Sequence, residues 1–336
     1  MHMADALLAP GVASTMYVCS GIAAAVAVRK VHTSEDTSKV PLMGVMGAFV
    51  FAAQMINFTI PGTGSSGHLC GGMLLAALLG PSAGFLTLIG ILLIQCLLFA
   101  DGGVLALGAN IWNMAFYGCF LGGGVIWRLI LKSGFSRKKI ILASILGSVI
   151  TLQLGAFSVC LQTLASGITD LPFGVFIGAM LPIHLAIGFV EGLITAAVLL
   201  FVYETRPELL DGYTAGATGA RTLSARGVAV ILLAAACVTG GLLSLFASEH
   251  PDGLEWSVER VAHKEELETP EQKVYEQAST FQEKTALLPD YAFKGSESAW
   301  GTTVSGILGA LLTLVVCMGV CFGLKRLRRR PAVVNG

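Results

Sequence analysis

The sequence predicts an all-α fold, a polytopic transmembrane helical bundle of about nine spans (seven plus two), with the N-terminus outside and the C-terminus cytoplasmic. Three observations lead there. Hydrophobic residues fill 54% of the 336 positions, mean hydropathy is +0.77, and charged residues are only 12%. A soluble domain carries about 25% charged residues. Apolar runs recur at the length of about 20 residues that a helix needs to cross hydrocarbon. The zero net charge hides a segregation: positions 248–300 hold 12 of the 21 acids and 5 of the 21 bases. Charge divides this way when one acidic segment is exported and basic loops stay inside.

The spans fall in order at about 6–28, 40–59, 68–80, 82–100, 105–131, 140–165, 175–203, 227–247 and 301–324. Residues 68–100 could be one helix or two. The pair Gly80-Pro81 favours a break. Charge parity also asks for two. Arg29, Lys30 and Lys39 belong inside, and so do Arg128, Lys132, Arg137, Lys138 and Lys139. An even number of spans must separate the clusters. Arg206, Arg221, Arg226 and the tail Lys325 to Arg330 then also fall inside. Loops 60–67, 101–104 and 166–174 fall outside and carry no Lys or Arg. Residues 206–226 read as a polar, glycine-rich cytoplasmic linker. The 8 cysteines show no CxxC and read as buried apolar residues.

The chain starts MHMADALLAP, with no basic stretch ahead of the apolar run, so it is not expected to be a cleaved signal peptide. Met1 and His2 then lie outside, on the same side as His68 in PGTGSSGHLCGG. A terminal amine, the His2 amide and the His2 ring can chelate one ion through small rings. The ring of His68 would complete a planar set of four nitrogens. Such a set favours Ni(II) or Cu(II), and its affinity rises with pH because protons must leave. Taken singly, each histidine reads more simply as a terminal residue or a loop residue; their shared side joins them.

Thr63, Ser65 and Ser66 could orient His68 as outer partners, or be ordinary turn residues. Asn110, Asn113, His184 and Glu191 are polar groups in or near spans. Such groups either serve a site or hydrogen-bond between helices. Glu255 and His250 could add ligands, but Pro251-Asp252-Gly253 reads as a turn that docks one part of the chain on the other.

The motifs Met1-His2, PGTGSSGHLCGG, LGPSAG, LGANIWNMAFYG and LPIHLAIGFVEGLITAAV occur in this order. Together they resemble the CbiM/NikM family, the substrate-capture subunits of energy-coupling-factor transporters for cobalt or nickel. The resemblance covers about 1–205. The first turn departs from the family form, since Ala4-Asp5-Ala6 follows the opening Met-His-Met. What the resemblance implies for the site is the Met1 amine, the His2 amide and ring, and the His68 ring. HPDGLEWSVER, from His250 to Arg260, resembles the PDGLE module of the small accessory subunit called NikN. The expected division is a capture domain 1–205, a linker 206–226, and a two-span module 227–336 with its exported loop at 248–300.

The family implies a transmembrane coupling subunit and cytoplasmic ATPase subunits as partners, in a prokaryotic cytoplasmic membrane. The chain itself has no G-x-x-x-x-G-K-[ST] loop. It is expected to be a transporter subunit rather than an enzyme, carrying Ni(II), or Co(II) as the alternative, with no nucleic-acid partner. A remote alternative is an intramembrane serine protease using Ser66 and His184. A passive metal channel would not need a chelating N-terminus.

Overall fold

The computed structural model describes residues 1–33, 39–213, 223–264, 267–296, 298 and 300–328. The chain is mostly helical. In order run α1 (Pro10–Thr33), α2 (Lys39–Gln54), a hairpin of β1 (Phe58–Ile60) and β2 (Ser65–Gly67), α3 (Gly72–Leu79) and α4 (Pro81–Phe99). Then come α5 (Leu107–Leu131), α6 (Arg137–Ser166), α7 (Phe173–Thr205), α8 (Ala225–Gly241), α9 (Gly253–Ala262), α10 (Lys273–Thr285) and α11 (Trp300–Arg328). Among the described residues, six helices are long and apolar enough to cross a membrane: α1, α4, α5, α6, α7 and α11. Two more apolar helices are shorter, at Leu42–Gln54 and Arg226–Gly241.

The expected span at 68–80 is the element that differs. Only eight residues, Gly72–Leu79, are helical. At 1.5 Å per residue they rise about 12 Å, less than half of a bilayer core. The segment before them is extended, with β2 paired antiparallel to β1 in the register Ser66 to Thr59. Non-helical backbone at such a depth is tolerated only inside protein. Accordingly, Ser65, Ser66, Leu69 and Cys70 are all buried. Gly71, at φ +80°, makes the turn into α3. A Cβ at Gly72 would lie 2.9 Å from the Gly118 Cα, so α3 and α5 meet backbone to backbone.

α5 is irregular in another way. Its central 17 residues, Ile111–Trp127, wind with π-helical spacing. Gly80 separates α3 from α4, as the Gly-Pro pair suggested, and Pro81 opens α4 at its first position.

The bundle has two recognisable ends. At one, the Asp211 amide donates to the Ala77 carbonyl at 2.7 Å, and Arg128 pairs with Asp211 at 3.0 Å. Arg206 and Glu208 pair there as well, at 2.7 Å. Part of the expected linker is therefore packed on the body; residues 214–222 lie outside the described residues. At the other end, α4 finishes at Phe99, two residues before Asp101, and the hairpin, the N-terminus and α9 gather together. α8 and α11 pack on α2 and on each other, and the Gly240–Gly306 approach again brings backbones into contact.

Large side chains such as Trp127, Phe51, Phe85, Phe99 and Phe176 fill the interior. Yet Val18, Ile22, Leu129, Leu185 and Phe189 are exposed. The cysteines follow this division and correct the expectation that all are buried. Cys70, Cys96, Cys119, Cys160 and Cys317 are buried, but Cys19 is half-buried and Cys237 exposed. The Cys321 side chain lies outside the described residues. In a chain whose outward helix faces are as apolar as its inward ones, hydrophobicity does not distinguish the two.

Candidate metal centre

The N-terminus enters the bundle rather than lying on its surface. Met1 and Met3 are buried. The Met3 amide donates to Asn110 Oδ1 at 2.8 Å, and Asn110 Nδ2 donates back to the Met3 carbonyl at 3.2 Å. The same carbonyl accepts from the Gly103 amide at 2.9 Å. Asp5 accepts from the Ala106 amide at 3.0 Å. Asn110 thus supports the terminus, and Asn113 continues inward with a paired hydrogen bond to Gln162 at 2.8 and 2.9 Å.

This anchoring places the Met1 amine 3.1 Å from His68 Nε2. The rings of His2 and His68 lie nearly parallel, with centroids 5.4 Å apart. The amine, the His2 backbone and the two imidazoles therefore share one buried spot, although 65 residues separate the histidines. His2 is held on both ring nitrogens: Nδ1 lies 3.0 Å from Asp101 Oδ1, and Nε2 3.2 Å from Gln95 Oε1. Gln95 in turn donates to Gln54, which donates to the Cys70 carbonyl. His68 Nδ1 lies 3.1 Å from the Leu69 carbonyl, which leaves Nε2 turned to the amine.

The structure adds a group that the sequence reading left in the exported loop. Asp252 Oδ2 forms an ion pair with the Met1 amine and stands 3.7 Å from His68 Nε2. Its other oxygen caps α9 by accepting from the Leu254 and Glu255 amides at 2.7 and 3.0 Å. Glu255 completes the capping box by accepting from the Asp252 amide at 2.9 Å. The capping box is legible in PDGLE itself; the reach of Asp252 to a residue 251 positions away is not.

Burial alone would lower the pKa of the amine, but the charge and hydrogen bond of Asp252 leave it above the usual 8.0. Burial alone would raise Asp252, yet the amine and His68 hold it well below the usual carboxylate range. Asp101 is treated similarly. Burial pushes it up, while His2 and Tyr291, whose hydroxyl donates at 2.5 Å, bring it down to about 2.

Thr63, Ser65 and Ser66 do not orient His68, contrary to expectation. The Ser66 hydroxyl donates to the His250 carbonyl at 2.8 Å, and its amide donates to the Pro251 carbonyl, also at 2.8 Å. Ser65 Oγ reaches the Pro251 carbonyl at 3.4 Å. Thr63 braces the hairpin turn, and its carbonyl accepts from the Trp256 indole at 3.0 Å. The hairpin is thus the dock for residues 250–256. The His250 side chain is exposed; its carbonyl accepts from Ser66, and its amide donates to Ser248 Oγ at 3.3 Å.

Glu191 is bound to the segment that follows β2, accepting from the Cys70 and Gly71 amides at 2.8 and 3.1 Å. His184 lies two turns toward the N-terminus of α7, with Nδ1 2.8 Å from the Met180 carbonyl. With the Ser66 hydroxyl committed to backbone carbonyls, no Ser66–His184 hydrogen bond forms, and a protease pair is not assembled.

The acidic segment closes over the centre. Gln282 donates to the Gly102 and Cys96 carbonyls at 2.7 and 3.0 Å, and the Tyr275 hydroxyl donates to the Leu8 carbonyl at 2.8 Å. Among the described residues, no three His, Cys, Asp or Glu side chains are grouped so that they could hold a metal ion alone.

Residues 2–209 match the family model described as the cobalt uptake substrate-specific transmembrane region, CbiM. The chain belongs to the CbiM family. Residues 226–326 match the PDGLE domain. A protein of Archaeoglobus fulgidus named putative fused nickel transport protein NikMN is 33% identical over 320 residues, 94% of this chain and 96% of its own. A protein of Geobacter sulfurreducens named cobalt transport protein CbiM is 28% identical, over 78% of each chain. A crystal structure titled as a truncated transition metal transporter is 34% identical, with a TM-score of 0.54, covering 61% of this chain and 99% of that one. With its long apolar helices, this CbiM-family chain is a multi-pass membrane protein and a nickel/cobalt transport component.

Proposed function

We propose that the chain is the substrate-capture subunit of an energy-coupling-factor importer, taking Ni(II) from outside the cell, with Co(II) as the alternative substrate. The observation that carries this is the buried Met1 amine 3.1 Å from His68 Nε2, with the His2 ring stacked beside it. The donors for the ion are the Met1 amine, the His2 amide and ring, and the His68 ring. Four nitrogens near one plane suit Ni(II). Loading displaces protons from the Met1 ammonium and the His2 amide, and His2 Nδ1 turns from Asp101 toward the ion. Asp252 and Asp101 then balance the added charge.

The centre faces outward in this reading, the basic linker end faces the cytoplasm, and the chain makes nine crossings. Eight apolar helices account for eight of them. The ninth is made by α3 together with the extended segment before it, because Gly80 lies against Asp211 at the opposite end from His68. The capture domain is 1–205, the linker 206–226 and the two-span module 227–336, whose acidic loop locks down the N-terminus. A transmembrane coupling subunit and ATPase subunits of a prokaryotic cytoplasmic membrane supply the energy for inward release.

The test compares bound metal in the purified native chain with a version bearing one extra N-terminal residue. The native chain is expected to hold one nickel or cobalt ion and the extended chain none. Equal loading would refute the terminal chelate.

A further inference from the structure

We propose that His184 is a ligand to the ion in transit, passing it to the capture centre from the outward side; this rests on the capture reading above. The argument begins with an unpartnered atom. His184 is 1% exposed, and its Nε2 is buried without a hydrogen-bond partner. Its Nδ1 lies 2.8 Å from the Met180 carbonyl. A carbonyl only accepts, so Nδ1 carries the proton and Nε2 keeps a free lone pair. A ring oriented by one nitrogen on a backbone carbonyl and open at the other is the arrangement found in metal-binding histidines.

The open nitrogen belongs to the wall of a small cavity. Met1, His68, Cys70, Asp252, Gly253 and His184 all line it, and its volume is about 10 Å³. That is roughly the space one water-sized particle requires. The cavity therefore joins two donors of the capture set to a donor the capture set does not include. A Cβ at Gly253 would come within 3.0 Å of His184 Cε1 and 3.3 Å of Nε2. The residue after Asp252 thus covers the same ring edge, and glycine is the side chain that leaves it open.

Position gives the direction. α7 runs from the centre toward Arg206 at the linker end, and Glu191 continues the same face seven residues on. Gly67 packs on Ile187 and the Cys70 and Gly71 amides bind Glu191, both nearer that end, while His184 lies against Gly253, so His184 stands on the outward side of the capture centre. Pro182, two residues before it, interrupts the hydrogen-bond ladder of α7 at this depth. If His184 were only packing glue, its Nδ1 bond to Met180 would be its whole contribution. Transit instead uses the lone pair on the other nitrogen.

The experiment separates loading from import. His184→Asn retains an amide able to donate to Met180 and removes Nε2. Purified full-length H184N is expected to hold one ion as the native chain does. Cells carrying the complete transporter with H184N are expected to take up nickel or cobalt about tenfold more slowly or worse, on the scale that losing a group acting on a metal costs. Gly253→Ala provides an independent second variant. Its Cβ crowds Cε1 and Nε2 while the imidazole itself is kept, and it should load normally and import slowly. Native import by both folded variants would overturn the assignment. So would failure of H184N to load at an unchanged melting temperature, which would move His184 into the capture set. Should H184N not fold, G253A alone decides by its import rate. A native chain that binds no metal would instead refute the capture reading, so the two failures are distinguishable.

Discussion

Replacing Asp252 with Asn should change how many protons leave when metal binds. In the metal-free site Asp252 pairs with the Met1 amine and holds its pKa above the usual 8.0 despite burial. Chelation requires the free amine, so below that pKa each ion must displace one extra proton. The sign follows: proton competition is fully present below the raised pKa and disappears as pH rises through it. An opposite charge in contact favours the protonated amine. Asp252→Asn removes the charge, and burial then lowers the amine.

Asparagine is as good a helix cap as aspartate, so the bonds to the Leu254 and Glu255 amides remain and α9 should stay docked. Titration calorimetry in two buffers of different ionisation enthalpy counts the protons released per ion. Near pH 7.5 the native chain should release close to one more proton than D252N. The pH at which this extra release ends should be lower in the variant. Affinity alone is a poorer readout, because Asp252 also attracts the incoming cation and the two effects oppose. Equal proton release by both proteins at every pH would refute the reasoning.

Glu191→Gln should leave one of the Cys70 and Gly71 amides without an acceptor; a cost of about 1–3 kcal/mol is expected, read as a lower melting temperature in detergent. Gly118→Ala should be destabilising by a similar amount, about 1–3 kcal/mol for overpacking, because its Cβ would lie 2.8 Å from the Gly72 Cα. The same melt checks it. Ser66→Ala removes the hydroxyl bond to His250 but keeps the amide bond to Pro251. It should loosen residues 250–256 by about 1 kcal/mol, seen as faster tryptic cleavage at Arg260, while metal content stays at the native level.

Much of the helical order was legible because spans of this length can be read from composition. The break at Gly80-Pro81 was legible from two adjacent residues. Span 68–80 misled because a buried extended segment and a buried helix turn look equally apolar. What marks the difference is the run of glycines and serines at 61–72, which permits close backbone approach. The exposed Cys237 and half-buried Cys19 were misread for a related reason: lipid-facing and core-facing positions have the same chemistry.

The sequence by itself determined the membrane class, the order of the helices, the asymmetry of charge and the chelating potential of an N-terminal Met-His. These depend on residue type, spacing along the chain and the family pattern of the motifs. Only the tertiary structure decided what the donors meet. It brought His68 to Met1, turned Ser66 toward His250, put Asp252 on the amine and left His184 Nε2 open to the same cavity. Those pairings span 67, 184 and 251 residues. They arise because α9 docks on the β-hairpin while Asn110 pins the N-terminal strand inside the bundle. Charge counting could place Asp252 outside the membrane, but only packing could place it beside the amine.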